Sequence, residues 1–248
     1  MLRRQKHLPK RNNSEKLFSF EAGNIAGFFL CLMKQLLTIF LSLCFILPMK
    51  ADTPKKTEKV YPFNYGKIED NVYTNPFFGI RLPVPDNWNV QNKSQIEYVI
   101  SKGKDVVQFE DELLNESVKN IDINSMTLLM LSKFEMGAPV AFNPNITLMA
   151  EDVSMSTGIR KGSDYLFHVK NGLQKSNLQM TCTPEEDPVT ISGQTFYRLT
   201  CERAESDIKL IYYTTISKRY AVSFVAACNT DEEEQELKSI INSTTFSR

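Results

Sequence analysis

Hydrophobic residues crowd into one stretch before any periodic pattern begins. Residues 27–49 read GFFLCLMKQLLTIFLSLCFILPM, apolar except for Lys34, Gln35 and a few hydroxyls, and no later segment approaches that density. A run of about 20 apolar residues suits a bilayer or a translocon rather than a globular core. Beyond it the pattern becomes that of a folded domain. Short apolar runs on either side of Asn75-Pro76 predict a hairpin over 72–82, which Pro83 and Pro85 end because proline gives a sheet no N–H. Trp88, the sole tryptophan, is expected to plug the core at the strand end.

Ile96, Val99 and Ile100 share one face of a helix predicted over 94–102, with Asp111, Glu112, Leu113 and Leu114 continuing or repeating it. The near-continuous apolar run 125–134 predicts a strand buried on both faces, and 145–153 its neighbour beyond a turn at Gly137-Ala138-Pro139. A second helix is expected to begin with Ser163 as N-cap and Asp164 in its first turn, burying Tyr165, Leu166, Val169 and Leu173. From Leu178 onward β-branched and aromatic residues recur at period two. The segments LQMTC, VTIS, TFYRLTCER, IKLIYYTTIS and YAVSFVAAC, with turns at Gly193 and Lys218-Arg219, predict an antiparallel meander. Thr230 and Glu233 match a capping box for a closing helix whose Leu237, Ile240 and Ile241 face one way. Helices bracketing strand runs predict an α+β domain with a mostly antiparallel central sheet flanked by helices.

Charge separates the same parts. Eight of the 29 Lys/Arg and two of the 29 Asp/Glu precede Asp52, so the remainder keeps 21 and 27, a net charge of −6. An acidic domain without a Lys/Arg run is not built to neutralise phosphates, and no nucleic-acid partner is expected. Met33, Lys34 and Gln35, the apolar run 36–47, Pro48 and small Ala51 have the layout of a signal peptide cleaved after Ala51, with Met33 as the true start. Two other readings stand beside it: an uncleaved anchor over 27–49, and lipidation at Cys44 behind an imperfect Leu-Ser-Leu motif. All three export the domain. The division is then 1–51 leader, 52–69 flexible linker and 70–248 folded domain. Tyr61, Phe63 and Tyr65 are unusual in a linker and serve either as surface recognition residues or as an arm packed on the domain.

Catalytic equipment is sparse. His168 is the only histidine after the leader and is expected to be a helix-surface residue. No GxSxG, P-loop, HExxH or CxxC pattern occurs, and Asp231, Glu232, Glu233 and Glu234 fit the N-terminal dipole of the closing helix better than calcium. No metal, cofactor or catalytic residue is therefore expected. Three cysteines follow the leader. Cys201 and Cys228 fall at one sheet end but two strands apart, about 9–10 Å, whereas Cys182 is placed to reach either. A disulfide between Cys182 and Cys201 is expected, with Cys182 to Cys228 the alternative and three free thiols the third case.

Tyr73-x-Asn75, Phe78-Gly79-Ile80, Pro85-x-x-Trp88, the helix near Ser163, the run from Val189 to Arg198 and the ending from Ser239 to Phe246 together resemble the PsbP-like superfamily. The resemblance implies an αβα sandwich and a non-catalytic binding or assembly role, with no particular partner. The expected function is thus an exported binding or assembly module with a protein partner in the cell envelope or outside the cell. An unrecognised exported hydrolase and a membrane-tethered structural protein are the alternatives.

Overall fold

A computed structural model describes residues 63–109, 112, 115, 125–178, 180–203 and 206–247. The leader, Tyr61, and the helical continuation expected at 111–114, apart from Glu112, lie outside the described residues.

The elements fully described are two antiparallel sheets and three helices. The strands are β1 (Lys67–Glu69), β2 (Val72–Asn75), β3 (Ile80–Pro83), β4 (Asn89–Val90), β5 (Ser125–Ser132), β6 (Asn145–Asp152), β7 (Met180–Pro184), β8 (Val189–Ile191), β9 (Gln194–Arg203), β10 (Ser206–Ser217), β11 (Tyr220–Cys228) and β12 (Thr245–Phe246). The helices are α1 (Lys93–Val106), α2 (Gly162–Lys175) and α3 (Asp231–Asn242). The larger sheet has the order β4-β5-β6-β11-β10-β9-β7, with β8 also pairing β9, and the smaller is β1-β2-β3-β12. The predicted meander is present as β9-β10-β11. Its far edge joins β6, with Tyr220 opposite Asp152, a pairing between segments about 70 residues apart.

Alternation along the long strands divides the core in two. Leu210 and Tyr212 of β10, with Val225 and Ala227 of β11, face α2, whose buried stripe is Tyr165, Leu166, Val169 and Leu173 as expected. Burying each of these side chains contributes about 1.5–3 kcal/mol. Ile211, Tyr213, Phe224, Ala226 and Cys228 point the other way, against α3 and the small sheet. The αβα layering is therefore present, and on its second face the small sheet shares the covering with a helix. Trp88 is buried there, and its indole N–H donates to Glu236 of α3 at 3.1 Å.

Three local expectations are corrected. Ser163 is not the N-cap of α2: the cap is Lys161, and Asp164 at N3 reaches back, its Oδ2 accepting from the N–H groups of Arg160 (2.9 Å) and Lys161 (3.0 Å). The carboxylate at N3 serves the N–H groups at and before the cap, not the first-turn N–H groups that a hydroxyl at the cap would serve. Gly162 occupies the first turn of α2, where a Cβ would lie 2.1 Å from the Thr214 carbonyl oxygen. The flexible linker is corrected as well, since 63–69 belong to the body: Phe63 packs on the core and β1 pairs with β2, Lys67 opposite Thr74. The first helix also runs four residues past its expected end, started by a full capping box in which the Asn92 side chain accepts from Gln95 N and the Gln95 side chain from Asn92 N.

Candidate functional site

The β10–β11 hairpin turns on two residues, with Ser217 opposite Tyr220. Both turn residues have positive φ, Lys218 at 51° and Arg219 at 69°. Such turns favour Asn, Asp and Gly, and the β1–β2 turn obeys, using Asp70 and Asn71. Lys and Arg in that conformation cost roughly 1–2 kcal/mol each. Two cations are thus held at a hairpin tip against local preference, and strain of this kind marks a place to look for function.

Beside this tip lies a cluster of five aromatic rings drawn from three parts of the chain. Phe63 of the arm stands in the middle, its centroid 4.9 Å from Tyr65, 5.7 Å from Phe77, 6.2 Å from Phe78 and 5.9 Å from Tyr220. Phe77 meets Phe78 at 4.7 Å and Tyr220 at 5.7 Å, both edge-on, a geometry worth about 0.5–1.5 kcal/mol per pair beyond burial. The Lys218 ammonium sits 4.8 Å from the Phe77 centroid, so the cation and the rings form one surface. Tyr65 is 58% exposed at its margin.

Buried polar groups pin the arm. The Tyr73 hydroxyl donates to the Tyr65 carbonyl at 2.8 Å, and Asn75 Nδ2 donates to the Asn64 carbonyl at 2.8 Å. Burial pushes the Tyr73 phenol up to about 12, against the smaller pull of the Asn75 hydrogen bond. Gly66, at φ 81°, makes the bend that permits both bonds; a Cβ there would meet the Thr74 carbonyl at 2.6 Å. Of the two roles open to Phe63 and Tyr65, the structure gives Phe63 the packed one, while Tyr65 both touches it and faces solvent.

The remaining candidates are scattered. Cys182 and Cys201 are directly opposite on β7 and β9, joined by a disulfide with Cα atoms 4.0 Å apart. Cys228 is a buried free thiol, pushed up to about 12 by burial and then by Glu234. The alternative bond from Cys182 to Cys228 is corrected by parity: Cys201 and Cys182 face α2, and Cys228 faces α3 on the other side of the sheet. His168 is half-buried on α2 with its ring edge-on to Phe167 at 5.6 Å, and burial holds it below the usual histidine range despite nearby Asp164.

The acidic run of α3 is used for docking. Glu234 accepts from Arg198 (2.9 Å) and Lys209 (3.3 Å), Arg198 also pairs with Glu185 (2.5 Å), and Asp231 takes Lys209 at 2.8 Å. Glu236, a residue the sequence pattern did not single out, bridges Lys133 (2.6 Å) and Trp88. Thr230 caps the helix, its hydroxyl accepting from Glu233 N, and the Glu233 carboxylate accepts from Asn229 N. Among the described residues no group of His, Cys, Asp and Glu is arranged to hold a metal ion.

No family model matches the chain, and no curated protein does. Several solved structures are similar, two of them as follows. One is the cyanobacterial PsbP protein CyanoP of Synechocystis sp. PCC 6803, at 9% identity over 71% of this chain and 91% of that one, with a TM-score of 0.44. The other is LpqN, involved in cell envelope biogenesis of Mycobacterium tuberculosis, at 15% identity over 68% and 83% of the two chains, with a TM-score of 0.37. The first bears the name of the group that the sequence motifs resemble. At these scores neither likeness bears on activity or partner.

Proposed function

We propose that this chain is an exported, non-catalytic binding module that engages a component of the cell envelope through the corner formed by Phe63, Tyr65, Phe77, Tyr220, Lys218 and Arg219. The observation that carries the reading is the strained cationic turn set against a ring cluster and left facing solvent. A turn needed only to reverse the chain would use Asn or Gly. Export is supported by the apolar leader in the sequence together with the Cys182 to Cys201 disulfide, which belongs to an oxidising compartment.

A photoreactive phenylalanine analogue placed at Tyr65, and a second at the equally exposed Phe167 on α2 as control, tests the reading in the native envelope. The expected outcome is a defined adduct from position 65 and none from 167. Equal labelling from both positions, or a domain found on the cytoplasmic side by protease accessibility, would defeat it.

A further inference from the structure

We infer that the corner is a membrane-docking face whose partner is the anionic headgroup surface of the bilayer next to the domain. This deepens the proposed function and rests on it. The apolar run ends at Met49 and the body begins at Phe63, so 13 residues lie between them, spanning at most about 45 Å when fully extended. On the reading in which residues 27–49 are an uncleaved anchor, the run stays in the bilayer and the domain stays within that distance of the lipid surface. The chain enters the body in the middle of the ring cluster, so the end nearest the tether is the end that carries the corner. Residues 50–62 themselves carry Lys50, Lys55, Lys56 and Lys59 against Asp52 and Glu58.

Charge orients the body the same way. The hairpin tip with Lys218 and Arg219 lies at one end of β11, and Asp231, Glu232, Glu233 and Glu234 begin α3 just beyond the other, about 27 Å away along the strand. An anionic surface attracts the first end and repels the second, where Arg198 and Lys209 offset only part of the charge of the four acids. Asp152 lies opposite Tyr220 at the corner, its carboxylate accepting from Ser154 N while Arg219 donates to the Ser154 carbonyl, and its single negative charge leaves the two cations of the turn in excess. Tyrosine and phenylalanine rings beside lysine and arginine are the side chains that settle at the headgroup level. Each cation brought to an anionic leaflet contributes about fivefold in affinity.

The test uses the full chain reconstituted in vesicles, with Tyr65→Trp as the reporter; buried Trp88 provides the unquenched background. In vesicles of brominated phosphatidylcholine containing about one third phosphatidylglycerol, the added emission is expected to shift to the blue and fall by at least half. It is expected to change little in brominated phosphatidylcholine alone. Adding Lys218→Asn and Arg219→Gly removes both charges and gives the turn residues that suit it. That variant is expected to melt at a higher temperature and to lose the quenching, a combination that a purely structural role for the turn would not produce. Equal quenching in both lipids, quenching indifferent to the turn substitutions, or adducts from position 65 with protein alone would each overturn the inference. Protease accessibility reports separately on export, so a failure of the proposed function is distinguishable from a failure of lipid docking.

Discussion

Reducing the bond between Cys182 and Cys201 releases a loop of sequence separation 19 from the unfolded chain. Chain-entropy arguments give about 3 kcal/mol for a loop of that length, the unfolded state gaining freedom that the folded state does not use. The folded state changes little. Both sulfurs are buried on the face toward α2, and β7 keeps its ladder to β9 from Met180 opposite Arg203 to Pro184 opposite Leu199. The loss should therefore appear as a shift of the global transition. For a domain of this size about 3 kcal/mol corresponds to a fall of about 6–12 °C in Tm. Urea unfolding of the oxidised and reduced protein, and of the Cys182→Ala/Cys201→Ala double variant, measures it. The midpoint should fall and the slope rise slightly, because an uncrosslinked unfolded chain exposes more surface. An unchanged midpoint on reduction, with alkylation and mass spectrometry showing both thiols freed, would refute the reasoning.

Gly162→Ala should destabilise by about 1–3 kcal/mol in denaturant titrations although alanine is the better helix former, because its Cβ would meet the Thr214 carbonyl at 2.1 Å and push α2 off the sheet. Glu234→Gln should cost about 1.5–3 kcal/mol by the same assay, since one carboxylate serves both Arg198 and Lys209. Alkaline pH should weaken the fold. The folded thiol of Cys228 is raised from 9.0 to about 12, so its contribution is whole below pH 9 and is lost as pH rises toward 12, deprotonation favouring the unfolded chain. Urea midpoints at pH 8, 9 and 10 should fall in that order, and Cys228→Ala should flatten the fall; the part due to Tyr73, raised from 10.0 to about 12, remains above pH 10.

The candidate site was legible only in fragments. Tyr61, Phe63 and Tyr65 stood out in a polar stretch, and Lys218-Arg219 stood out as a turn, but nothing in the pattern joined them. Tyr61 lies outside the described residues, and the meeting of Phe63 and Tyr65 with the turn depends on Phe77 and Phe78 arriving from the β2–β3 turn and Tyr220 from β11. The disulfide was legible because Cys182 ends a strand near a meander, while the exclusion of Cys228 required knowing that it lies one position out of phase with Cys201 along β10: Leu210 opposes Cys201 and Ala227, and Lys209 opposes Cys228. A single step in register moves a side chain to the other face.

What the sequence determined alone is local: the period-two strands, the stripe of α2, the Thr230 cap and the proline stop after β3. Neighbouring residues settle these through backbone sterics, capping and alternation of faces. Tertiary structure decided what depends on distant segments meeting. It paired β11 with β6, joined the first and last described strands into one small sheet through Phe246 opposite Ile80, and folded the arm onto the core around Phe63. Such contacts form only between particular faces in a particular register, and no span of local sequence holds both partners.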